Sequence, residues 1–150
     1  MQNRFLSLSH RFAHAVLSGL MLFLLLQIGS INLADAAELM SPGKYKAPLK
    51  YALKLPKYCG HLYFGKEGAG YRMPSRELCG VGTNHFCGGL IALYQARAEK
   101  DRKKKPGYYR KAKKEVEYTK QWIADYPRCP LHPVVNNTLM EIDMALKLYK

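Results

Sequence analysis

Tyr108-Tyr-Arg-Lys-Ala-Lys-Lys-Glu-Val-Glu-Tyr-Thr-Lys-Gln-Trp-Ile-Ala-Asp-Tyr126 is the stretch whose reading decides the fold. Tyr109, Ala112, Val116, Thr119, Ile123 and Tyr126 step 3, 4, 4, 4 and 3 along it. That is one apolar face of a helix with 3.6 residues per turn. Tyr118 and Trp122 add a neighbouring stripe, so this helix is expected to pack on two sides. Pro127, Pro130 and Pro133 end it and make a stiff turn around Cys129.

Working outward, a second helix is predicted from about Asn84 to Asp101, with Phe86, Leu90, Leu93, Tyr94 and Arg97 at helical spacing. Thr83 or Asn84 supplies the short oxygen-bearing side chain of an N-cap. Arg102-Lys-Lys-Lys-Pro-Gly107 is read as the connection, with Pro106 and Gly107 as breakers. A third helix lies between Pro133 and Lys150, where Val135, Leu139, Ile142, Leu146 and Tyr149 share a face. Thr138 and Glu141 have capping-box spacing, so its start is either Pro133 or Thr138. Before these, Leu49, Ala52 and Leu53 mark a short turn, and Pro56 opens another carrying Tyr58, Cys59, Leu62 and Tyr63. Six glycines and prolines between Gly65 and Gly82 read as a structured loop. No strand-period alternation is long enough for a sheet. The expected fold is all-α: a short helical bundle built on a helix hairpin, with a Gly/Pro-rich region ahead of it.

The N-terminus reads differently. Arg4 and Arg11 precede an apolar run from Ala15 to Ile28, and Ala34-Asp-Ala36 follows. A basic region, an apolar stretch and an A-x-A site are the parts of a secretory signal peptide, with the cut expected after Ala36. An uncleaved anchor is the competing reading. The run is short for a span of roughly 20 apolar residues, and Gln27, Ser30 and Asn32 interrupt its far end. The expected organisation is a signal peptide over 1–36, a flexible leading segment over 37–48 and one helical domain over 49–150. The chain is therefore expected in the periplasm or outside the cell, meeting the membrane only through its signal peptide during export.

Cys59, Cys79, Cys87 and Cys129 all lie after the expected cut, and an even count in an exported chain reads as two disulfides. The short link between the first two long helices predicts an antiparallel hairpin. That geometry brings Cys87 beside Cys129 and leaves Cys59 for Cys79.

The chain carries a formal charge of +13. The first 36 residues hold two Arg and one Asp, so the remainder keeps +12. Such a balance favours an anionic partner, although solubility alone also accounts for it. Arg97, Lys100, Arg102, Lys103, Lys104, Lys105, Arg110, Lys111, Lys113 and Lys114 gather at the expected hairpin tip, with Tyr108 and Tyr109 among them and Arg102 to Lys105, Arg110 and Lys111 the leading candidates for an anionic partner. Cations and aromatic faces together suit phosphates and stacked rings.

Leu55-Pro-Lys-Tyr-Cys59, Gly70-Tyr-Arg-Met-Pro74 leading to Cys79-Gly80, Asn84-His-Phe-Cys-Gly-Gly-Leu90 and Tyr126-Pro-Arg-Cys-Pro130 form a further set of motifs. Over about residues 55–133 they resemble small exported tetratricopeptide-like proteins of proteobacteria. The resemblance implies a helix-turn-helix domain outside the cytoplasm that holds a protein partner and carries no chemistry. The chain departs from that pattern at Gly88, where the family's usual residue is proline. It also has at most one degenerate copy of a 34-residue repeat, so any concave groove must be small.

Catalytic motifs are missing. Gly65-Lys-Glu-Gly-Ala-Gly70 lacks the ending of a phosphate loop. Neither Gly-x-Ser-x-Gly nor His-Glu-x-x-His occurs. No enzyme activity and no cofactor is expected. His61, His85 and His132 each lie close to a cysteine, which makes a Cys/His metal site conceivable. The spacing is unlike structural zinc, and disulfides compete for the same sulfurs. His85 is otherwise expected to bond the neighbouring loop.

Overall fold

A computed structural model of the chain describes residues 39–68 and 73–149. The expected signal peptide, its cleavage site, residues 37 and 38, and the Gly70-Tyr-Arg part of the second motif lie outside the described residues. The described elements are helices α1 (Leu49–Ala52), α2 (Gly60–Phe64), α3 (Arg76–Cys79), α4 (Thr83–Ala98), α5 (Lys105–Ile123) and α6 (His132–Lys147), with 3-10 turns at Lys57–Cys59 and Gly65–Gly68. Among the described residues the only β-pairing is a single bridge between Met40 and Pro48. The fold is all-α.

The apolar face read in α5 is the one it buries: Tyr109, Ala112, Val116, Thr119 and Ile123. Its start differs from the expectation. Pro106 stands in the first turn, where its missing N–H costs nothing and its fixed φ suits the helix, so α5 begins at Lys105. The helix before it stops early because Glu99 turns extended, giving α4 a C-terminus at Ala98. The link is built by carboxylates: Glu99 Oε1 accepts from the Asp101 N–H at 2.9 Å, and Asp101 Oδ1 accepts from the Lys103 N–H at 2.8 Å. No side chain caps α4. Thr83 is buried inside its first turn, and Asn84 bonds Tyr45 instead. The helix α6 starts at His132 with Pro133 in its first turn. Thr138 is no cap, because its hydroxyl donates back to the Val134 carbonyl at 2.7 Å.

Contacts along the long helices run in opposite directions. Gly82 meets Trp122 and Gly89 meets Val116, so α4 and α5 are antiparallel. Lys113 pairs with Asp143 and Tyr109 stacks on Tyr149, so α5 and α6 are antiparallel too. The close approach of α4 to α5 needs Gly89, where a Cβ would lie 2.6 Å from Val116 Cγ2. Thr119 closes the start of the hairpin by donating to the Gly82 carbonyl at 3.0 Å.

The central helix is α4. Leu90, Leu93 and Ala96 join the α5–α6 core, whereas Cys87 and Ile91 belong to a second cluster with Ala47, Ala52, Cys59 and Tyr63. Burial on several sides is what an apolar helix without a single stripe requires. This division corrects the disulfide pairing. The bonds are Cys59–Cys87 and Cys79–Cys129. Cys87 lies two residues before Gly89, about 200° around the helix, and so faces away from α5. Cys79 is the residue at the hairpin's open end, just ahead of the Gly80–Gly82 turn, and it meets Cys129 past the end of α5.

The leading segment also differs from the expected flexible stretch. Over residues 39–48, Ser41, Gly43 and Ala47 are buried. The Gly43 N–H donates to the Tyr63 carbonyl at 2.6 Å and the Tyr45 N–H to the Leu62 carbonyl at 3.0 Å. These bonds satisfy the last carbonyls of α2, which a helix leaves without partners. A Cβ at Gly43 would overlap the Tyr63 backbone.

Candidate functional site

The expected basic cluster divides into four places. Arg102, Lys103 and Lys104 are exposed on the α4–α5 link, with Lys105 half-buried at the start of α5. Arg110 is exposed further along α5. Tyr109 does not belong to the surface: it is 8% exposed, inside the core and against Tyr149. Tyr108 and Lys111 face neither tip nor core but line two hollows beside α4.

These hollows lie along one ridge of α4, whose residues Asn84, Gly88, Ile91, Gln95 and Ala98 recur at helical spacing. The larger, about 370 Å³, lies between Tyr51 and Lys50 on one side and Tyr108 on the other, with Lys100 at its outer end. The smaller, about 210 Å³, has Tyr45 and Lys46 opposite Lys111 and Glu115. Tyr108, Lys111 and Glu115 are themselves spaced 3 and 4 apart, so one ridge of α5 forms the shared wall. The other wall is the segment from Tyr45 to Tyr51. The two hollows follow one another along α4, which floors both, as an interrupted groove whose floor at Ile91 is buried.

Three fixed interactions shape the inner end. His85 Nδ1–H donates to Glu115 Oε2 at 2.6 Å, which holds the imidazole and leaves Nε2 as its other hydrogen-bonding atom. The ring packs against Tyr118 with centroids 4.1 Å apart. His85 thus bonds the facing helix and not the neighbouring loop. Asn84 Nδ2 donates to the Tyr45 hydroxyl at 3.1 Å, tying floor to wall. The Tyr63 phenol behind them is pushed up to about 12 by burial and then by Tyr45 and Glu115, so it stays a neutral donor at ordinary pH.

Lys100 and Lys111 belong to the basic cluster read in the sequence, whereas Lys46, Lys50, Tyr45, Tyr51 and Glu115 were not singled out there. The polar stripe Tyr108, Lys111, Glu115 beside the apolar face of α5 is a legible signal. Its opposite wall is not, because it comes from a distant segment.

A second exposed feature continues the ridge. Tyr118 and Trp122 are 39% and 41% exposed, with ring centroids 6.1 Å apart. Trp122 lies over Gly82, where a Cβ would overlap its side chain.

All four cysteines are bonded, leaving no free thiol, and the two disulfides fit an oxidising, exported environment. The three histidines are apart: His85 holds Glu115, His132 Nε2–H donates to the Tyr126 carbonyl at 3.0 Å, and His61 Nδ1 is buried without a hydrogen-bond partner. No group of three or more potential metal ligands occurs among the described residues. No helix among the described residues is long and apolar enough to cross a membrane. No family model, curated protein or solved structure matches the chain.

Proposed function

We propose that this chain is an exported, non-enzymatic binding protein that holds an anionic partner on its helical surface. One observation carries the reading: six of the described acids serve the scaffold, while the cations of the tip and Lys111 have no ion pair among the described residues. Glu141 is held by Arg97, and Asp143 and Glu117 by Lys113. Glu115 is held by His85, and Glu99 and Asp101 bond the backbone of the link. Arg102, Lys103, Lys104, Lys105 and Lys111 have no ion pair among the described residues. Charge left uncompensated in this way raises the local concentration of polyanions. Export to the periplasm or beyond is supported by the two disulfides and by the signal-peptide pattern over 1–36.

The test is retention of the oxidised protein on an anionic matrix across a salt gradient. Replacing Lys103, Lys104 and Lys105 with Gln lowers the slope of log affinity against log salt by about 3 if each meets a fixed charge. A wild-type protein that is not retained at low salt overturns the reading. A specific observation favours a second reading, a protein partner of the tetratricopeptide-like kind. The exposed Tyr118–Trp122 ridge has the residue types enriched at interface hot spots. Loss of a co-purifying protein on Trp122→Ala, with retention on the matrix unchanged, would select it.

A further inference from the structure

The groove beside α4 has a more specific chemistry than net charge. Its floor spans Asn84 to Ala98, about 21 Å at 1.5 Å per residue. That is a length for an extended polymer. Lysines occur at intervals along it: Lys46 and Lys111 at the inner end, Lys50 and Lys100 at the outer. Between them stand the rings of Tyr45, Tyr51 and Tyr108. Asn84, Gln95 and the fixed His85–Glu115 pair add neutral and acidic hydrogen-bonding groups to the same surface.

Each feature narrows the ligand. Lysines answer carboxylates or phosphates. Tyrosine faces answer flat, partly apolar rings. Amides and carboxylates answer hydroxyls. Glu99 and Glu115 line the groove and add acceptors for hydroxyl donors, which every ring of a polysaccharide offers and a DNA backbone lacks. Protein interface cores are depleted of Lys and Glu, which are abundant here. A polymer whose carboxylates are separated by hydroxylated rings satisfies all of these groups at once.

We propose that this groove is a binding site for an acidic polysaccharide of the uronate class. Lys100 and Lys111 pair with the carboxylates, Tyr108 stacks on a sugar face, and Asn84, Gln95 and the His85–Glu115 pair receive hydroxyls. The proposal rests on the reading of the chain as a binder of anionic partners and names the site and ligand class.

Isothermal titration of the oxidised protein with polygalacturonate tests it, with oligothymidylate and poly-L-glutamate as competing polyanions. Lys100 and Lys111 are exposed and have no ion pair among the described residues, so Lys100→Gln/Lys111→Gln leaves the fold intact. That double variant is expected to bind polygalacturonate about tenfold more weakly, two surface charge contacts being lost. Lys120→Gln, at an exposed α5 lysine outside both the groove and the tip, stays within about twofold. Tyr108→Ala weakens binding without changing its salt dependence, and Tyr108→Phe restores it, which separates stacking from charge. Loss in the Gln variant of Lys103, Lys104 and Lys105 with none in the groove variant overturns the groove assignment and leaves the anionic reading standing. Tighter binding of oligothymidylate or poly-L-glutamate overturns the ligand class. Binding of no polyanion overturns both.

Discussion

Removing the disulfides one at a time separates the two halves of this architecture. The perturbations are Cys79→Ala/Cys129→Ala and Cys59→Ala/Cys87→Ala. The bonds join residues 50 and 28 apart in sequence. The chain-entropy argument then assigns them about 4 and about 3.5 kcal/mol. Those are large fractions of the roughly 5–15 kcal/mol that holds a domain folded. The magnitudes are close, but the location of the damage is not. Cys79–Cys129 fastens the open end of the α4–α5 hairpin within the main core, so its loss lowers the whole urea transition. Cys59–Cys87 joins α4 to the second cluster, where Ala47, Ala52 and Tyr63 pack. Its loss is expected to raise hydrogen exchange over residues 41–64 first, while α5 and α6 keep their protection. Urea unfolding gives the energies and exchange mass spectrometry gives the places. A loss below about 1 kcal/mol in both variants would refute the entropic reasoning. Peptides linking Cys87 to Cys129 in the native protein would refute the pairing itself.

Two adjacent glycines of α4 are expected to respond with opposite signs. At Gly88 a Cβ meets only Glu115 Oε2 at 4.0 Å, so Gly88→Ala stabilises by about 0.5–1 kcal/mol through helix propensity. At Gly89 it would press on Val116, so Gly89→Ala costs about 1–3 kcal/mol; thermal melts of the two variants check the sign. Tyr58 and Tyr63 are both raised to about 12, chiefly by burial. The folded state therefore holds these protons after the unfolded chain has released them, and stability is present below pH 10 and falls as pH climbs toward 12, which urea midpoints over that window measure. A double-mutant cycle on Arg97 and Glu141, an exposed bidentate pair with contacts at 2.6 Å, should return about 0.5 kcal/mol or less.

Periodicity made the three long helices legible because each long helix was read from side chains a turn apart. The face of α5 matched from Tyr109 to Ile123, while Tyr126, read as its last member, falls after the helix end and is half-buried. What failed depended on direction around a helix or on distant segments. Cys87 was placed by its height along the hairpin, but height does not say which side of α4 a side chain leaves from. Pro106 was read as a stop, although proline at the first turn of a helix is a start, whereas Pro133, read as one of two starts of the third helix, does open α6. Tyr109 and Tyr108 are neighbours in sequence, yet one turns into the core and the other onto the groove. The leading segment looked loose because its order comes from carbonyls of α2, more than a dozen residues away, and nothing local to residues 39–48 announces them.

The same distant segment decides whether there is a groove. The stretch from Tyr45 to Tyr51 is one of its walls, and that stretch has little core of its own. It is fastened to the floor by three kinds of link. The Gly43 and Tyr45 N–H groups bond the end of α2, Asn84 bonds the Tyr45 hydroxyl, and Cys59–Cys87 joins the turn ahead of α2 to α4. The three hydrogen bonds are worth about 1 kcal/mol each. When they open, the covalent link and the packing of Ala47 and Ala52 against Ile91 keep wall and floor together. A reducing compartment would therefore leave the α4–α5–α6 bundle with its apolar core but loosen the wall, and with it the spacing of the lysines and tyrosines across the groove. The export signal read at the N-terminus and the binding surface proposed in the folded domain thus meet in one expectation: reducing Cys59–Cys87 loosens the wall of the site and weakens its binding.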